Sequence, residues 1–449
     1  MKRLKCMPWF GATALLAVFG TYSDVARGGG FQLFEQSVKG LGNAYAGSAA
    51  SAEDAATVFF NPAGMIRLPG TQVQGAAHVI ATRADFTNQG STTNNGQPLL
   101  GPEADGGIVA AVWNGYITHA LGDRIALGFG VNSPFGLETA YASGWVGRYH
   151  AIESELQTIN LSPSIALSLN EVFSIGLGID VQYIDVKLSN AIDFGTLLAP
   201  TGLTSPQAND GFQELKASDW GVGYNLGILF FPEGTTRLGV AFRSRIDYDL
   251  VGKARFDKTT TIDAALAAVG RASLFQDTGV KADATLPETM SAGLYHRLTP
   301  TWAVLAGFAW THWNTLQDSI LIRFENTAQP DQMLVLNYQD TFRYSLGLDY
   351  YPNNNLTLRA GIAYDETPIP NAESRSARLP DNDRLWLALG LSYYVKERFS
   401  LDIGYAHLFV DDANIRSPLP TENPRLQSIL VGKFENSVDI VSAQVSWFF

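Results

Sequence analysis

The stretch at residues 173–183 reads FSIGLGIDVQY and alternates strictly between apolar residues and small or polar ones. Ile175 and Leu177 fall on one face, and Ser174 and Asp180 fall on the other. A period of two is the signature of a β-strand, because successive side chains point to opposite faces. The stretch therefore predicts a strand with one apolar face and one polar face.

The same alternation recurs at residues 221–230 and 238–250. In the second stretch we expect one apolar face that runs from Leu238 through Ile246, Tyr248 and Leu250. A soluble β-sandwich also alternates, with its apolar face inward. Small or charged residues on the second face of so many strands instead favour a membrane β-barrel, whose lipid-facing positions alternate with lumen-facing ones.

Turn lengths predict the number of strands. Short polar turns are expected at residues 121–124, 169–171, 232–236, 299–300, 351–355 and 395–398. Long connections are expected at residues 83–110, 132–158, 185–218, 251–288, 311–341, 365–383 and 409–437. Bacterial barrels place short turns on the periplasmic side and long loops outside. Six turns and seven loops join fourteen strands, so the predicted fold is an all-β, 14-stranded antiparallel transmembrane β-barrel.

Composition restricts the function. The net charge of −12 argues against a nucleic-acid partner, because phosphate binding needs clustered Lys and Arg. Charged residues make up only 16% of the chain, hydrophobic residues make up 46%, and the longest apolar runs are too short for a membrane-spanning helix. No G-x-S-x-G or complete Walker A motif occurs, and the six histidines show no metal spacing. We therefore expect no enzymatic activity, no cofactor and no bound metal.

Both ends of the chain indicate export to the outer membrane of a Gram-negative cell. Lys2, Arg3 and Lys5 precede a short apolar stretch, which is typical of a secretory signal peptide. We expect residues 1–28 to be removed, with cleavage after Ala26 as the alternative. The single cysteine lies in this segment, so the mature chain has no disulfide. Residues 441–449 alternate and end in Phe449, a terminal aromatic that the barrel assembly machinery is expected to bind.

Residues 29–70 do not resemble a strand. They are rich in Gly, Ala and Ser, and Asn61 and Pro62 form a turn signal. A barrel of about fourteen strands has an interior too wide for side chains alone to fill. We therefore expect residues 29–70 to form a hatch (plug) inside the lumen of a barrel formed by residues 71–449.

Several motifs resemble the FadL/TodX family of outer-membrane transporters. They are GFQL at residues 30–33, GLGNAYAG at 40–47, EDA at 53–55, NPA at 61–63, FRS at 242–244, LPE at 286–288, GIAYD at 361–365 and LPDNDR at 379–384. The resemblance covers essentially the whole mature chain. It implies a fourteen-stranded barrel with an N-terminal hatch. It also implies that the protein is a monomer in contact with outer-membrane lipid and lipopolysaccharide. It also implies passive uptake of hydrophobic molecules, either long-chain fatty acids or neutral aromatic or aliphatic hydrocarbons.

The resemblance also implies the site residues. Phe31 and Leu33 are expected to touch an inner pocket that movement of the N-terminus opens, and Asn61, Pro62 and Ala63 belong to the same hatch. In the third strand, Asn132, Pro134 and Phe135 match an inward kink through which ligand leaves sideways into the bilayer. Proline cannot donate to a strand ladder, so Pro134 predicts either this kink or simply the start of the next loop.

Two further features concern the ligand. Ile262, Ala265, Leu266 and Val269 have helical spacing and predict a short helix that either captures ligand or covers the rim. The resemblance places Asp185 and Gln339 where the fatty-acid branch has basic residues, which favours a neutral ligand. Arg148, Arg243, Arg245 and Arg343 remain as possible substitutes.

A general or structural porin for polar solutes is the alternative function. His312 lies between Trp310 and Trp313, and we expect these rings to lie at the membrane interface.

Overall fold

A computed structural model describes residues 30–202, 204–316, 319–396, 398–421 and 423–449, except the side chain at position 233. The predicted signal peptide lies outside these residues. The described strands are β1 (Thr71–Asn88), β2 (Thr92–Thr93), β3 (Val109–Ala120), β4 (Ile125–Asn132), β5 (Gly136–Ala140), β6 (Glu153–Ser168), β7 (Phe173–Asp193), β8 (Asp210–Glu233), β9 (Thr236–Arg243), β10 (Ile246–Asp257), β11 (Thr278–Leu286), β12 (Thr289–Thr299), β13 (Trp302–Thr311), β14 (Ser319–Phe324), β15 (Gln332–Val335), β16 (Thr341–Asn353), β17 (Leu356–Asp365), β18 (Arg384–Val395), β19 (Phe399–Val410), β20 (Ala413–Pro418) and β21 (Ser428–Phe448). The α-helices are α1 (Val38–Gly42), α2 (Ser48–Ser51), α3 (Thr57–Phe60), α4 (Phe194–Leu198) and α5 (Thr260–Ala268), and 3-10 helices cover Pro62–Arg67, Ala199–Thr201 and Trp313–Leu316. None of the helices within the described ranges is long and apolar enough to cross a membrane.

The strands form one closed antiparallel barrel of fourteen spans, as predicted. The first span, β1, pairs with the last, β21, from Gln72↔Phe448 to Asn88↔Gly432 and so closes the sheet. Six spans each consist of two strands separated by a short break: β4/β5, β9/β10, β11/β12, β13/β14, β15/β16 and β19/β20. The six short turns lie where the sequence predicts them.

Several long connections are shorter than predicted, because the strands continue further than expected. The β7–β8 ladder runs to Asp193↔Asp210, so the predicted loop at 185–218 shrinks to residues 194–209. Period-two alternation persists there, with Ile184 and Leu215 buried and Asp185 exposed. Beyond the apolar band the outward-facing residues of the strands are polar. Their sequence therefore resembles that of a polar loop.

The inward face changes parity at each of the six breaks. In β9 Leu238 and Val240 are exposed, whereas Ile246, Tyr248 and Leu250 of β10 are buried inside the barrel. The predicted single apolar face from residue 238 to residue 250 is therefore wrong. The same exchange occurs between β4 and β5, β12 and β11, β13 and β14, β16 and β15, and β19 and β20.

Residues 30–70, which we call the N-terminal segment, pack against inward-facing positions around the barrel. Helix α1 contacts β17, β18, β19 and β21, α2 contacts β9, β12 and β13, and the 3-10 helix Pro62–Arg67 contacts β4, β6, β7 and β8. Glycines allow this approach: a Cβ at Gly239 would lie 1.8 Å from the carbonyl oxygen of Ala49, and a Cβ at Gly42 would lie 2.8 Å from the Cα of Gly390. The small residues of the segment therefore allow it to pack directly against the wall.

Candidate functional site

The break in the third span lies between β4 and β5. Asn132 of β4 pairs with Asn160 of β6, and Gly136 of β5 pairs with Gln157 of β6. Three residues, 133–135, therefore face two residues of β6, so the third span carries one extra residue, as in a β-bulge. The span resumes after Pro134, which therefore interrupts the span and does not merely begin the next loop.

The N-terminal segment pairs with this break as a short additional strand. The Leu33 N–H donates to the Pro134 carbonyl oxygen at 2.8 Å, and the Gly136 N–H donates to the Phe31 carbonyl oxygen at 3.0 Å. The Phe135 N–H donates to the Thr158 hydroxyl oxygen at 3.1 Å. Hydrogen bonds to the N-terminal segment and to Thr158 therefore stabilise the break, in addition to the effect of the N–H group that Pro134 lacks.

The barrel wall is open beside the break. Residues 109–114 of β3 pair with β1 only, and β5 pairs with β6 only. The opening ends below at the pair Gly115↔Val131 and above at the hydrogen bond from the Ala140 N–H to the Gly106 carbonyl oxygen, 3.2 Å long. A cavity of about 310 Å³, which we call the wall cavity, occupies this place.

The wall cavity reaches from the lumen to the outer face of the barrel. Its lining includes Phe31 and Leu33 from the N-terminal segment, and also Trp113 and Ile159, which are exposed on the outer face. Asn132 contributes to the same lining. An apolar molecule in this cavity therefore touches both the interior and the surface that faces lipid.

An apolar pocket of about 140 Å³ lies on the inner side of the wall cavity. Its lining is supplied by many strands and is almost wholly aliphatic, including Ile184, Val186, Leu215, Leu250, Val280, Leu286, Ile322 and Leu336. Phe31, Leu137 and Leu379 line both this pocket and the wall cavity. Three apolar side chains therefore form the partition between the two spaces.

An outer cavity of about 490 Å³ lies among the loops on the other side of the pocket. The outer cavity and the apolar pocket share Leu188, Leu215, Ile322, Leu334, Ser376 and Arg378. Helix α5 packs into the same apolar cluster, with Ile262, Ala265 and Leu266 buried as the sequence predicts. Val269, which was expected on this face, is 42% exposed.

Phe31 is held by two aromatic rings. Its ring lies 4.7 Å from that of Trp313 and 6.0 Å from that of Phe135, both edge-on. Trp313 is fully buried, so its predicted position at the membrane interface is wrong. The sequence gives no sign of this, because Trp313 follows the break after β13, where the alternation pattern ends.

The first described residue is fixed to the loop between β17 and β18. The Gly30 N–H donates to the Asp381 carboxylate at 2.9 Å, and the Arg384 guanidinium donates to the Gly30 carbonyl oxygen at 2.6 Å. Asp381 also pairs with Arg384 at 2.9 Å and accepts from the Thr367 hydroxyl at 2.9 Å. The GFQL motif at residues 30–33 and the LPDNDR motif at residues 379–384 are thus hydrogen-bonded to each other.

Asn61, Pro62 and Ala63 lie apart from Phe31 and the wall cavity and are bonded to the wall. The Asn61 amide donates to the carbonyl oxygens of Ala49 at 2.6 Å and Ile228 at 3.0 Å. The Ala63 carbonyl oxygen accepts from the Ser174 hydroxyl at 2.9 Å. Pro62 shares a small cavity of about 70 Å³ with Pro134 and Phe135.

Glu35 is a buried carboxyl group in the lining of the wall cavity. It lies in the N-terminal segment and is 4% exposed. Burial raises the pKa of Glu35 from 4.5 to about 7, because the ionised form loses its hydration. The charge of this group therefore depends on pH near neutrality.

Asp185 is not in a position to repel a carboxylate ligand. Asp185 is exposed on the outer face and does not reach the pocket. None of the suggested basic substitutes lines the apolar pocket. Arg148 pairs with Asp210 and Arg243 with Asp180. Arg245 is exposed outside, and Arg343 donates to the Ala44 carbonyl oxygen.

Comparison with known proteins agrees with this architecture. A family model described as outer membrane protein transport protein (OMPP1/FadL/TodX) matches residues 20–449. A long-chain fatty acid transport protein of Escherichia coli is 32% identical over 424 residues, covering 89% of this chain and 91% of that protein. Outer membrane protein P1 of Haemophilus influenzae is 32% identical over 427 residues, covering 88% of each chain.

Solved structures show the same fold. A Pseudomonas aeruginosa FadL homologue superposes with a TM-score of 0.85 at 22% identity, covering 93% of this chain and 99% of that one. The Pseudomonas putida toluene transporter TodX gives a TM-score of 0.64 at 18% identity, covering 88% of this chain and 94% of that one. The molecule is thus an outer-membrane transport barrel. The chain belongs to the OMPP1/FadL/TodX family.

Proposed function

We propose that the protein is a passive channel, and not an enzyme, for hydrophobic molecules, with long-chain fatty acids and hydrocarbons as the candidate ligands. The names of its relatives, a long-chain fatty acid transport protein and a toluene transporter, support both classes. The observation that carries the proposal is the succession of three adjoining cavities, from the loops through an apolar pocket to an opening in the wall.

An apolar route is what such solutes need. Moving a buried CH₂ group into water costs about 0.8 kcal/mol, so a chain of about fourteen methylenes resists release into water by roughly 11 kcal/mol. A water-filled pore does not lower this cost. A route on which ligand passes from the pocket to the bilayer keeps the chain in apolar surroundings throughout.

The proposed route has one gate. Ligand enters the outer cavity, moves into the apolar pocket, and is stopped by Phe31, Leu137 and Leu379. Displacement of Phe31 with the N-terminal segment joins the pocket to the wall cavity, and ligand leaves beside Asn132, Pro134 and Phe135. Leu33 moves with Phe31, because the hydrogen bonds that hold residues 31 and 33 to the break must be broken together.

The remaining parts have supporting roles. We assign residues 1–28 to a signal peptide, residues 29–70 to the hatch and residues 71–449 to the barrel. Asn61, Pro62 and Ala63 anchor the hatch, and its first residues act as the gate once their hydrogen bonds to the wall are broken. Phe449 exchanges two backbone hydrogen bonds with Thr71, at 2.9 and 3.1 Å, and is the proposed contact for the barrel assembly machinery. We further propose a monomer surrounded by lipid and lipopolysaccharide.

Uptake by whole cells tests the proposal. Cells that lack their own family member are given the wild-type gene or a variant without residues 30–34, and uptake of oleate, toluene and a long alkane is compared with uptake of a sugar. We expect the wild type to raise uptake of at least one hydrophobic compound but not of the sugar. The deletion should change that rate while the protein keeps the gel mobility of a folded barrel.

The matched control shortens an exposed apolar side chain that does not contact Phe31, Leu137 or Leu379. Leu100→Ala serves, because Leu100 is 59% exposed in a loop. Uptake of sugar alone would point to the polar porin instead. Unchanged uptake in the deletion variant would reject gating by the N-terminus while leaving the channel itself in place.

A further inference from the structure

Two buried polar side chains in the lining of the wall cavity have hydrogen-bonding groups that the protein itself does not use. Asn132 of β4 is 2% exposed. Its amide oxygen accepts from the Asn160 amide at 3.4 Å, whereas its amide nitrogen has no partner among the described residues. Glu35 of the N-terminal segment is also buried, and no side chain of a described residue hydrogen-bonds to its carboxyl group or forms an ion pair with it. A buried polar group without a partner is costly, so both groups favour a guest that can bond to them.

Hydrogen bonds of the neighbouring residues hold Glu35 beside Asn132. The Gln36 amide donates to the Ser133 carbonyl oxygen at 2.8 Å, which ties the residue after Glu35 to the residue after Asn132. The Glu35 carbonyl oxygen accepts from the Asn114 amide of β3 at 3.0 Å. Residue 35 is therefore fixed between β3 and the end of β4, next to the opening in the wall.

The charged groups around Glu35 are bonded elsewhere. Arg384 pairs with Asp381 at 2.9 Å, and Arg343 donates to a backbone carbonyl oxygen of the N-terminal segment at 3.0 Å. Burial raises the pKa of Glu35 to about 7, and the negative charge of Asp365 adds to this effect. A large share of the Glu35 carboxyl groups is therefore protonated at neutral pH, and a protonated carboxyl group both donates and accepts hydrogen bonds.

Much of the remaining lining of the wall cavity is apolar and leads to the lipid. Val112 and Val131 lie in the lining, and Trp113 and Ile159 extend it to the outer face. The edge of β3 at residues 109–114 has no strand partner here, and lipid cannot satisfy free backbone groups as water does. A guest with one polar end and one apolar chain suits this arrangement, because the polar end meets hydrogen-bonding groups while the chain passes through the opening.

We propose that Glu35 and Asn132 form a binding site in the wall cavity for the uncharged polar head of a long-chain ligand, either a hydroxyl or a protonated carboxyl group. This inference rests on the proposed function and names a ligand class for the exit of the same route. The site recognises the head by hydrogen bonds and not by charge. A hydrocarbon of the same length fits the apolar part of the cavity but leaves both side chains unpaired.

Photo-crosslinking to the full-length mature protein in phosphatidylcholine nanodiscs tests the inference. The probes are hexadecanol with a diazirine near its hydroxyl end and hexadecane with a diazirine at the same carbon, and mass spectrometry identifies the labelled peptides. We expect the alcohol to label residues 31–36 and 131–139 at least fivefold more than the alkane does. Asn132→Leu and Glu35→Met should each lower labelling by the alcohol at least fivefold and leave labelling by the alkane within twofold. Glu35→Gln keeps a donor and an acceptor, so its labelling by the alcohol should stay within twofold of the wild type.

Gln157→Leu is the matched control, because Gln157 lies in the same lining but is exposed and already donates to Glu155 at 2.6 Å. Its labelling should stay within twofold of the wild type.

The outcomes separate the two proposals. Equal labelling of residues 131–139 by both probes, or labelling by the alcohol that survives both Asn132→Leu and Glu35→Met, overturns the site. Labelling confined to the apolar pocket overturns the site as well but leaves the channel in place. A wild-type protein in which neither probe labels the pocket or the wall cavity rejects the proposed function itself. If Asn132→Leu does not fold, the contrast between Glu35→Met and Glu35→Gln decides, because only the first removes the hydrogen-bonding group, and equal labelling of these two variants overturns the site.

Discussion

Deleting Pro134 should close the opening in the barrel wall. The third span carries one residue more than β6 between the pairs Asn132↔Asn160 and Gly136↔Gln157. Removing one residue makes the two halves of the span continuous in register with β6. It also restores the parity of the inward face, so Leu137 still points into the pocket. Nothing then prevents the extended span from pairing with residues 109–114 of β3.

The hydrogen bonds gained outnumber those lost. A ladder along residues 109–114 adds about six backbone hydrogen bonds, each worth about 1 kcal/mol net. The shortened span gives up two, from Leu33 to Pro134 and from Gly136 to Phe31. The closed wall is therefore favoured by about 4 kcal/mol, or about a thousandfold. In lipid the margin is larger, because water cannot satisfy an open strand edge there.

Two measurements on the same variant check this expectation. Binding of a hydrophobic ligand to the purified protein should persist, because the lining of the pocket is retained, whereas uptake by cells should fall to the level without the gene. Pro134→Ala is the control, since it keeps the extra residue and the carbonyl group that accepts from Leu33, and its uptake should stay near the wild-type rate. Normal uptake by a deletion variant that folds as a barrel would refute lateral exit at this place.

Three further predictions concern the N-terminal segment and the wall. Phe31→Ala removes the contacts with Trp313 and should weaken docking of the segment by about 3 kcal/mol. Backbone hydrogen exchange at residues 31–36 and the rate of ligand uptake should both rise. Unchanged hydrogen exchange would contradict the role of Phe31 in the gate. Docking of the segment should weaken as pH rises from 4.5 to about 7, by about 3 kcal/mol, because the pKa of Glu35 is raised by burial and the carboxyl group is neutral in the docked state. Hydrogen exchange at pH 5 and pH 8 measures this, and Glu35→Gln should abolish the difference. Asp180→Asn leaves the charge of Arg243 buried and unpaired and should cost about 3–5 kcal/mol of barrel stability; thermal unfolding in detergent measures the loss, and the double variant with Arg243→Gln should recover part of it.

Strand number and turn positions could be predicted from the sequence, because both depend on local signals. Polar turns are short, and each lies between alternating stretches whose period does not depend on the partner strand. Residues 173–183 illustrate this, since every position lies on the face that the period assigns. The composition of small residues likewise sets residues 30–70 apart from the strands in the sequence.

The pocket could not be predicted, because the breaks depend on pairing and not on composition. Ser244 receives the Tyr224 N–H on its hydroxyl oxygen and donates its own N–H to the Tyr224 carbonyl oxygen, so one residue replaces a ladder position and the next residues change face. In the sequence, the period-two alternation runs from Leu238 to Leu250 without an interruption. Only the partner strand fixes the register, and a shift of one residue exchanges the two faces.

This exchange explains how one barrel provides both a polar seat for the hatch and an apolar pocket for ligand. Near the periplasmic turns the inward positions are polar: Asp180 accepts from Asn160 and Asn225 and pairs with Arg243, which also donates to the Phe59 carbonyl oxygen of the N-terminal segment. Beyond the breaks the inward positions are aliphatic, and they form the pocket. A barrel with one uninterrupted period would keep its apolar side chains outward along the whole span and would have a polar lumen throughout. The breaks turn part of the apolar face inward, and the same local departure from the ladder at residues 133–135 leaves the wall open, so the pocket and its proposed exit arise from one structural device.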